Sequence, residues 1–140
     1  MVQAPEMADS CMLMPDLVLC SPAVRAWSTA ICYFQQLNWE YKRLKITPSL
    51  YEASLDTLIF ELQNLNESCE TLFLFGHNPG FNYLISFLAH SQKIKLNMNG
   101  IPNLVTSGRV VIELDILGWH EIGQHCGSIV EWNTPKNDLS

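Results

Sequence analysis

Leu17-Val18-Leu19-Cys20 is continuously apolar and lies between Pro15-Asp16 and Ser21-Pro22, the pattern of a short strand buried on both faces of a parallel sheet. Val24, Trp27, Ala30, Ile31, Phe34 and Leu37 follow at helical spacing. They predict an amphipathic helix running to about Asn38, with Ser21 as its cap and Pro22 at its first position. Lys42 to Ile46 is a weaker strand candidate ended by Thr47-Pro48, and Ser54 is placed to cap a second helix whose apolar positions are Leu55, Leu58, Ile59, Leu62 and Leu65. Thr71-Leu72-Phe73-Leu74-Phe75 is the strongest strand pattern in the chain. Gly76-His77-Asn78-Pro79-Gly80 ends it, with Asn78 as the expected cap of a third helix, Pro79 at its first position, and Tyr83, Leu84, Phe87 and Leu88 along it. No clear period runs from Ser91 to Ser107, after which Arg109 to Leu114 and Ser128 to Trp132 read as two further strands.

The order β-α-β-α-β-α-β-β predicts an α/β fold with a mainly parallel sheet and helices on both faces. Ligands of such sheets gather beyond the carboxyl ends of the strands. Two strand ends here lead into polar, helix-starting segments, Ser21 to Arg25 and Gly76 to Gly80.

Composition narrows the classes of partner. The 140 residues suit one domain, and 8 Lys+Arg against 14 Asp+Glu give a net charge of −6, a poor match to the phosphate backbone of nucleic acid or to an anionic membrane surface. The opening 24 residues contain no Lys, Arg or His. Cys11, Cys20, Cys32, Cys69 and Cys126 are odd in number and form no C-x-x-C pair, which points to reduced thiols in a cytoplasmic protein rather than a disulfide framework or a zinc site. Pro15 and Asp16 interrupt the apolar stretch Met12 to Cys20 and no basic segment precedes it, so neither a signal peptide nor a membrane span is expected.

His77 and Asn78 stand between a buried strand and a helix start, where free backbone N–H groups and the helix dipole favour an anion. Arg25 lies one turn into the helix after the first visible strand, and its guanidinium can fork onto two oxygens at the same sheet edge. Taken singly, His77 as a turn histidine and Arg25 as a solvated helix arginine are equally serviceable descriptions. The pair, each after a parallel strand, points to phosphate or another oxyanion. Glu52 is a weak candidate for a general acid against the simpler role of a solvated loop carboxylate. His120 and His125, five apart, fit surface turns better than a metal site. Trp27, Trp39, Trp119 and Trp132 suit core or partly buried anchors, and Lys42-Arg43-x-Lys45 a solvated strand edge.

Pro15 to Ala26, with Thr29-Ala30 following, resembles the second conserved block of the histidine phosphatase superfamily, in the form found in the small SixA-type phosphohistidine phosphatases. Phe73 to Gly80 resembles the block carrying that family's second histidine, and Leu50 to Ser54, Thr106-Ser107-Gly108 and Trp132-x-x-Pro135-Lys136 are similar in order and spacing. The resemblance implies a three-layer α/β/α sandwich. It also implies a mechanism without metal or cofactor, in which a histidine attacks phosphorus in line, a phosphohistidine forms and water releases phosphate. Arg25 would be the second phosphate-binding arginine and His77 the second histidine, hydrogen-bonded to the transferring group.

The family's opening strand, ending in Arg-His-Gly and carrying the nucleophile, has no counterpart, because no histidine precedes His77. Cys11 is a poor substitute with no base near it. In the family that strand lies between the strands here at Thr71–Phe75 and Arg109–Leu114, so the sheet is expected to lack its first strand and first helix. The expected organisation is a non-family segment over 1–14, a truncated phosphatase domain over 15–136 and a tail over 137–140. The function expected is that of a phosphohistidine phosphatase relative, inactive or truncated, acting on a phosphohistidine protein or small phosphate ester, with a homodimer through the incomplete sheet as a further partner. The alternative is a catalytically dead module that binds phosphate or a phosphoprotein.

Overall fold

The computed structural model describes residues 14–89 and 108–133. Residues 1–13 of the expected segment 1–14, Cys11 among them, the residues Thr106-Ser107 and Pro135-Lys136, and the tail 137–140 lie outside the described residues. β1 (Leu17–Cys20), β2 (Leu44–Ile46) and β3 (Leu72–Phe75) form a parallel sheet in the order β2-β1-β3. Leu17 to Cys20 stand opposite Leu72 to Phe75, so β1 is paired along both edges. Alternation along β1 then sends Val18 and Cys20 to one face and Leu17 and Leu19 to the other.

α1 (Val24–Leu37) covers the first face, where Val18, Tyr33, Phe34 and Trp39 pack together and Cys20 meets Ala26 and Ala30. Leu19 on the second face packs with α2 (Leu55–Gln63) and α3 (Gly80–Leu88) through Leu50, Leu58, Leu62, Leu84 and Leu88. Helices on both faces of a parallel sheet make three layers, as expected. β4 (Arg109–Leu114) and β5 (Gly127–Asn133) pair antiparallel with each other. The terminal strands therefore make a separate two-stranded sheet instead of extending the parallel one.

Several local expectations are corrected. α1 begins at Val24 and not at Pro22, because Ser21 Oγ accepts the Ala23 N–H at 3.2 Å in a tight turn ahead of the helix. The segment expected as a strand from Lys42 starts with a single 3-10 turn, Tyr41–Arg43, and becomes extended only at Leu44. Asn78 does not cap α3: the helix starts at Gly80, and the Phe81 N–H donates to the His77 carbonyl, closing the first turn through the backbone. Ser54 does cap α2, accepting the Thr57 N–H at 3.2 Å, and α1 ends on Asn38 in the left-handed conformation. Trp39 and Trp119 are buried and Trp132 is half-buried, whereas Val24 and Trp27, counted on the apolar face of α1, are 78% and 46% exposed. Both sit on the first turns of α1.

Candidate functional site

β1 and β3 run side by side, so their carboxyl ends bring Ser21 and Gly76-His77 to one rim of the sheet. The Ser21 N–H donates to the Phe75 carbonyl at 2.9 Å, continuing the ladder one step past β1 and burying Ser21. Its hydroxyl meets His77 Nε2 at 2.7 Å, and which atom donates depends on the tautomer of the ring. The Tyr51 ring packs edge-on against the imidazole, with centroids 5.7 Å apart. Two contacts from separate loops thus hold the histidine where the sequence can only show that it follows a strand.

Arg25 stands on the first turn of α1, exposed, and lines the same groove as His77 and Asn78. Among the described residues it forms no ion pair. Glu52 lines a different cavity from Arg25, one that shares His77 and Asn78 with the groove. It lines, with Asp56, His77, Asn78 and Tyr83, a second cavity of about 530 Å³. The Glu52 backbone has φ 49, and the loop that carries it presses on the start of α3, where a side chain on Gly80 would run into the Ala53 carbonyl. A glycine is needed there to let α3 and the 51–54 loop approach.

The structure therefore gathers Arg25, Glu52, His77 and Asn78 around one rim. His120 and His125 are kept away from it: His120 lies 3.3 Å from Glu67, before β3 rather than after it, and the His125 N–H donates to Phe87 near the end of α3. Cys20, at the end of β1, is no thiolate, because burial pushes its pKa up to about 11. Among the described residues no group of three His, Cys, Asp or Glu could hold a metal ion. Periodicity missed the roles of Ser21 and Tyr51. Residue type alone makes Ser21 a cap, and its bond to His77 spans 56 positions, a separation that local pattern does not report.

A chain that holds Arg25 and His77 over the ends of two parallel strands can be compared with solved structures by shape. A SixA structure from Nakamurella multipartita, assigned as a phosphohistidine phosphatase, superposes with a TM-score of 0.73 over 95% of this chain and 78% of that one, at 18% identity. The fold is that of the SixA histidine phosphatases. The protein histidine phosphatase SixA in complex with tungstate gives 0.72 over 98% of this chain and 78% of that one, at 22% identity. An Agrobacterium tumefaciens SixA gives 0.63 over 94% and 75%, at 21% identity. No protein-family model matches the chain, and no curated protein sequence matches it. As in the SixA structures, the described part is a mixed α/β domain, and among its described residues no helix is long and apolar enough to cross a membrane.

Proposed function

We propose that the chain binds a phosphoryl group, carried by a phosphohistidine protein or a small phosphate ester, at Arg25 and His77, and that these 140 residues alone do not turn it over. The observation that carries this reading is the 2.7 Å contact between Ser21 and His77, which fixes the imidazole on the rim of the groove that Arg25 also lines. Arg25 supplies a planar fork for two phosphoryl oxygens, and His77 a ring donor for a third. Asn78, which lines both cavities, adds an amide at the same place. Tungstate is a tetrahedral oxyanion, and its presence in a SixA of the same fold supports an oxyanion as the ligand. No histidine precedes His77, so the residue that would take the phosphoryl group in the resembling phosphatases is not supplied. Glu52 is exposed beside His77, suited to proton transfer only if a nucleophile is present. The odd set of cysteines without a C-x-x-C pair supports a cytoplasmic setting.

Calorimetric titration with phosphate and with tungstate tests the site, and a phosphohistidine peptide tests the reaction. Saturable oxyanion binding that disappears in an Arg25→Ala, His77→Ala double variant is expected, with peptide hydrolysis at background. Binding that survives in the double variant overturns the site. Hydrolysis that His77→Ala abolishes overturns the absence of turnover.

A further inference from the structure

The direction of the hydrogen bond between Ser21 and His77 follows from what else each atom has to satisfy. Ser21 is 0% exposed, so its hydroxyl has no water to turn to. Its Oγ already accepts the Ala23 N–H at 3.2 Å, which uses one lone pair and leaves the hydroxyl hydrogen to be placed. Among the described residues, the other partner of Oγ is His77 Nε2 at 2.7 Å. In a neutral imidazole one ring nitrogen is a donor and the other an acceptor. With the proton on Nε2, Oγ would accept twice and the buried hydroxyl hydrogen would be left without an acceptor, the costly arrangement for a buried polar group. With Nε2 bare, the Ser21 O–H donates to it and every group at the contact is paired.

We infer that Ser21 donates its hydroxyl hydrogen to His77 Nε2 and so holds the neutral ring in the tautomer that carries its proton on Nδ1. The hydrogen bond made by one ring nitrogen sets the state of the other. Ser21 is then a positioning residue, which decides the atom through which His77 can donate.

The inference rests on the oxyanion site proposed above and names the histidine atom that serves it. His77 lines both cavities, Ser21 occupies Nε2, and no other described residue bonds to the ring nitrogens. Nδ1–H is the donor left for a ligand oxygen. An oxyanion offers only acceptors, so the opposite tautomer would turn a lone pair toward it and repel it. The main chain does not depend on this side-chain bond. The Ser21 N–H donates to the Phe75 carbonyl at 2.9 Å, and the Phe81 N–H donates to the His77 carbonyl at 3.1 Å. Both residues are therefore placed by their backbones, and the hydroxyl is left to govern the ring.

Long-range proton–nitrogen NMR on the full chain, isotope-labelled at the histidine nitrogens, tests this first in the unmodified protein. The His77 signals are identified among the 4 histidines by their loss in His77→Gln. They are read roughly two units above the ordinary histidine pKa of about 6.5, where an ordinary ring is neutral. The expected result is an excess of the Nδ1–H form of about tenfold or more, the ratio that follows when the other form strands a buried hydroxyl. That excess should fall about tenfold in Ser21→Ala and persist in Ser21→Thr, which keeps the hydroxyl. A purely structural Ser21 would lower the unfolding midpoint in Ser21→Ala and leave the tautomer ratio as it was, which overturns the proposal. A parent ring with its proton on Nε2 overturns it with no variant needed. Tungstate added to the parent chain should shift the Nδ1 signal more than Nε2, and the reverse order overturns Nδ1 as the donor. A His77 ring untouched by tungstate sinks the oxyanion reading instead, while the tautomer ratio still decides the role of Ser21.

Discussion

The two ends of the β1–β3 pair are built to opposite plans. At the amino end, backbone and side-chain groups from separate parts of the chain are tied to one another. The Asp16 carboxylate accepts the Glu70 and Thr71 N–H groups at 2.8 and 2.9 Å, the Thr71 carbonyl accepts from Asp16, and the Trp119 indole N–H donates to the Cys69 carbonyl. At the carboxyl end, Ser21 holds His77, while Arg25 and Glu52 are left exposed to solvent around two cavities. The same two strands therefore carry a closed end that holds the fold and an open end available to a ligand, and side chains at the two ends should fail in different ways when changed.

The largest expected effect is at the closed end. Trp119→Ala removes a buried aromatic and leaves the Cys69 carbonyl without its donor, which should lower unfolding free energy by about 3–5 kcal/mol in chemical denaturation. Oxyanion affinity in the fraction still folded should not change. Arg25→Ala reverses the pattern: oxyanion affinity should fall by about 10- to 100-fold in calorimetry, the value of one charge-assisted fork, while stability stays within about 0.5 kcal/mol. If Trp119→Ala weakens binding as much as Arg25→Ala does, the two ends are not independent.

Asp16→Asn comes next, at about 1–2 kcal/mol by analogy with a carboxylate that caps backbone N–H groups. Bonds from the Thr71 and then the Glu70 N–H, with the Arg43 charge adding a smaller part, hold the Asp16 pKa below its usual 3.8. A lowered folded-state pKa means that its stabilisation is present above the ordinary carboxylate value and is lost as pH falls through the lowered one. The difference between the parent chain and Asp16→Asn should therefore be constant near neutrality and shrink below pH 3.8. A difference that grows on acidification would contradict this. The smallest effect is at Ser21→Ala. It frees the imidazole and deprives the Ala23 N–H of its acceptor, for a stability loss of about 1 kcal/mol and a several-fold loss in oxyanion affinity.

β1 and β3 are legible in the sequence because each is an unbroken apolar run between turn residues, and α2 because Ser54 marks its start. The same signals misplace the starts of α1 and α3. Ser21 and Asn78 are good caps by residue type, but Ser21 is held by Ala23 and His77, and the Phe81 N–H already has the His77 carbonyl. Arg25 and His77 are legible as a pair because strand ends can be placed from pattern alone. Their supports are not. Tyr51 stands against His77 only because the 51–54 loop is packed on Gly80, and a spacing of 26 residues carries no periodic signature. The separation of β4–β5 from the parallel sheet is legible only through the resemblance, which places the family's first strand between them, because a strand's own composition does not specify its pairing.

The position of the tryptophans gives the molecule a built-in optical gauge. Trp27 is 46% exposed two residues after Arg25, whereas Trp39 and Trp119 are 4% and 8% exposed within the core and at the closed end. Water around an indole shifts its emission to the red, so Trp27 on the rim, together with the half-buried Trp132 on β5, weights the long-wavelength side of the fluorescence spectrum and the packed interior the short-wavelength side. Ligand arrival and loss of the fold can then be followed in one cuvette, without a label, as two separate colours.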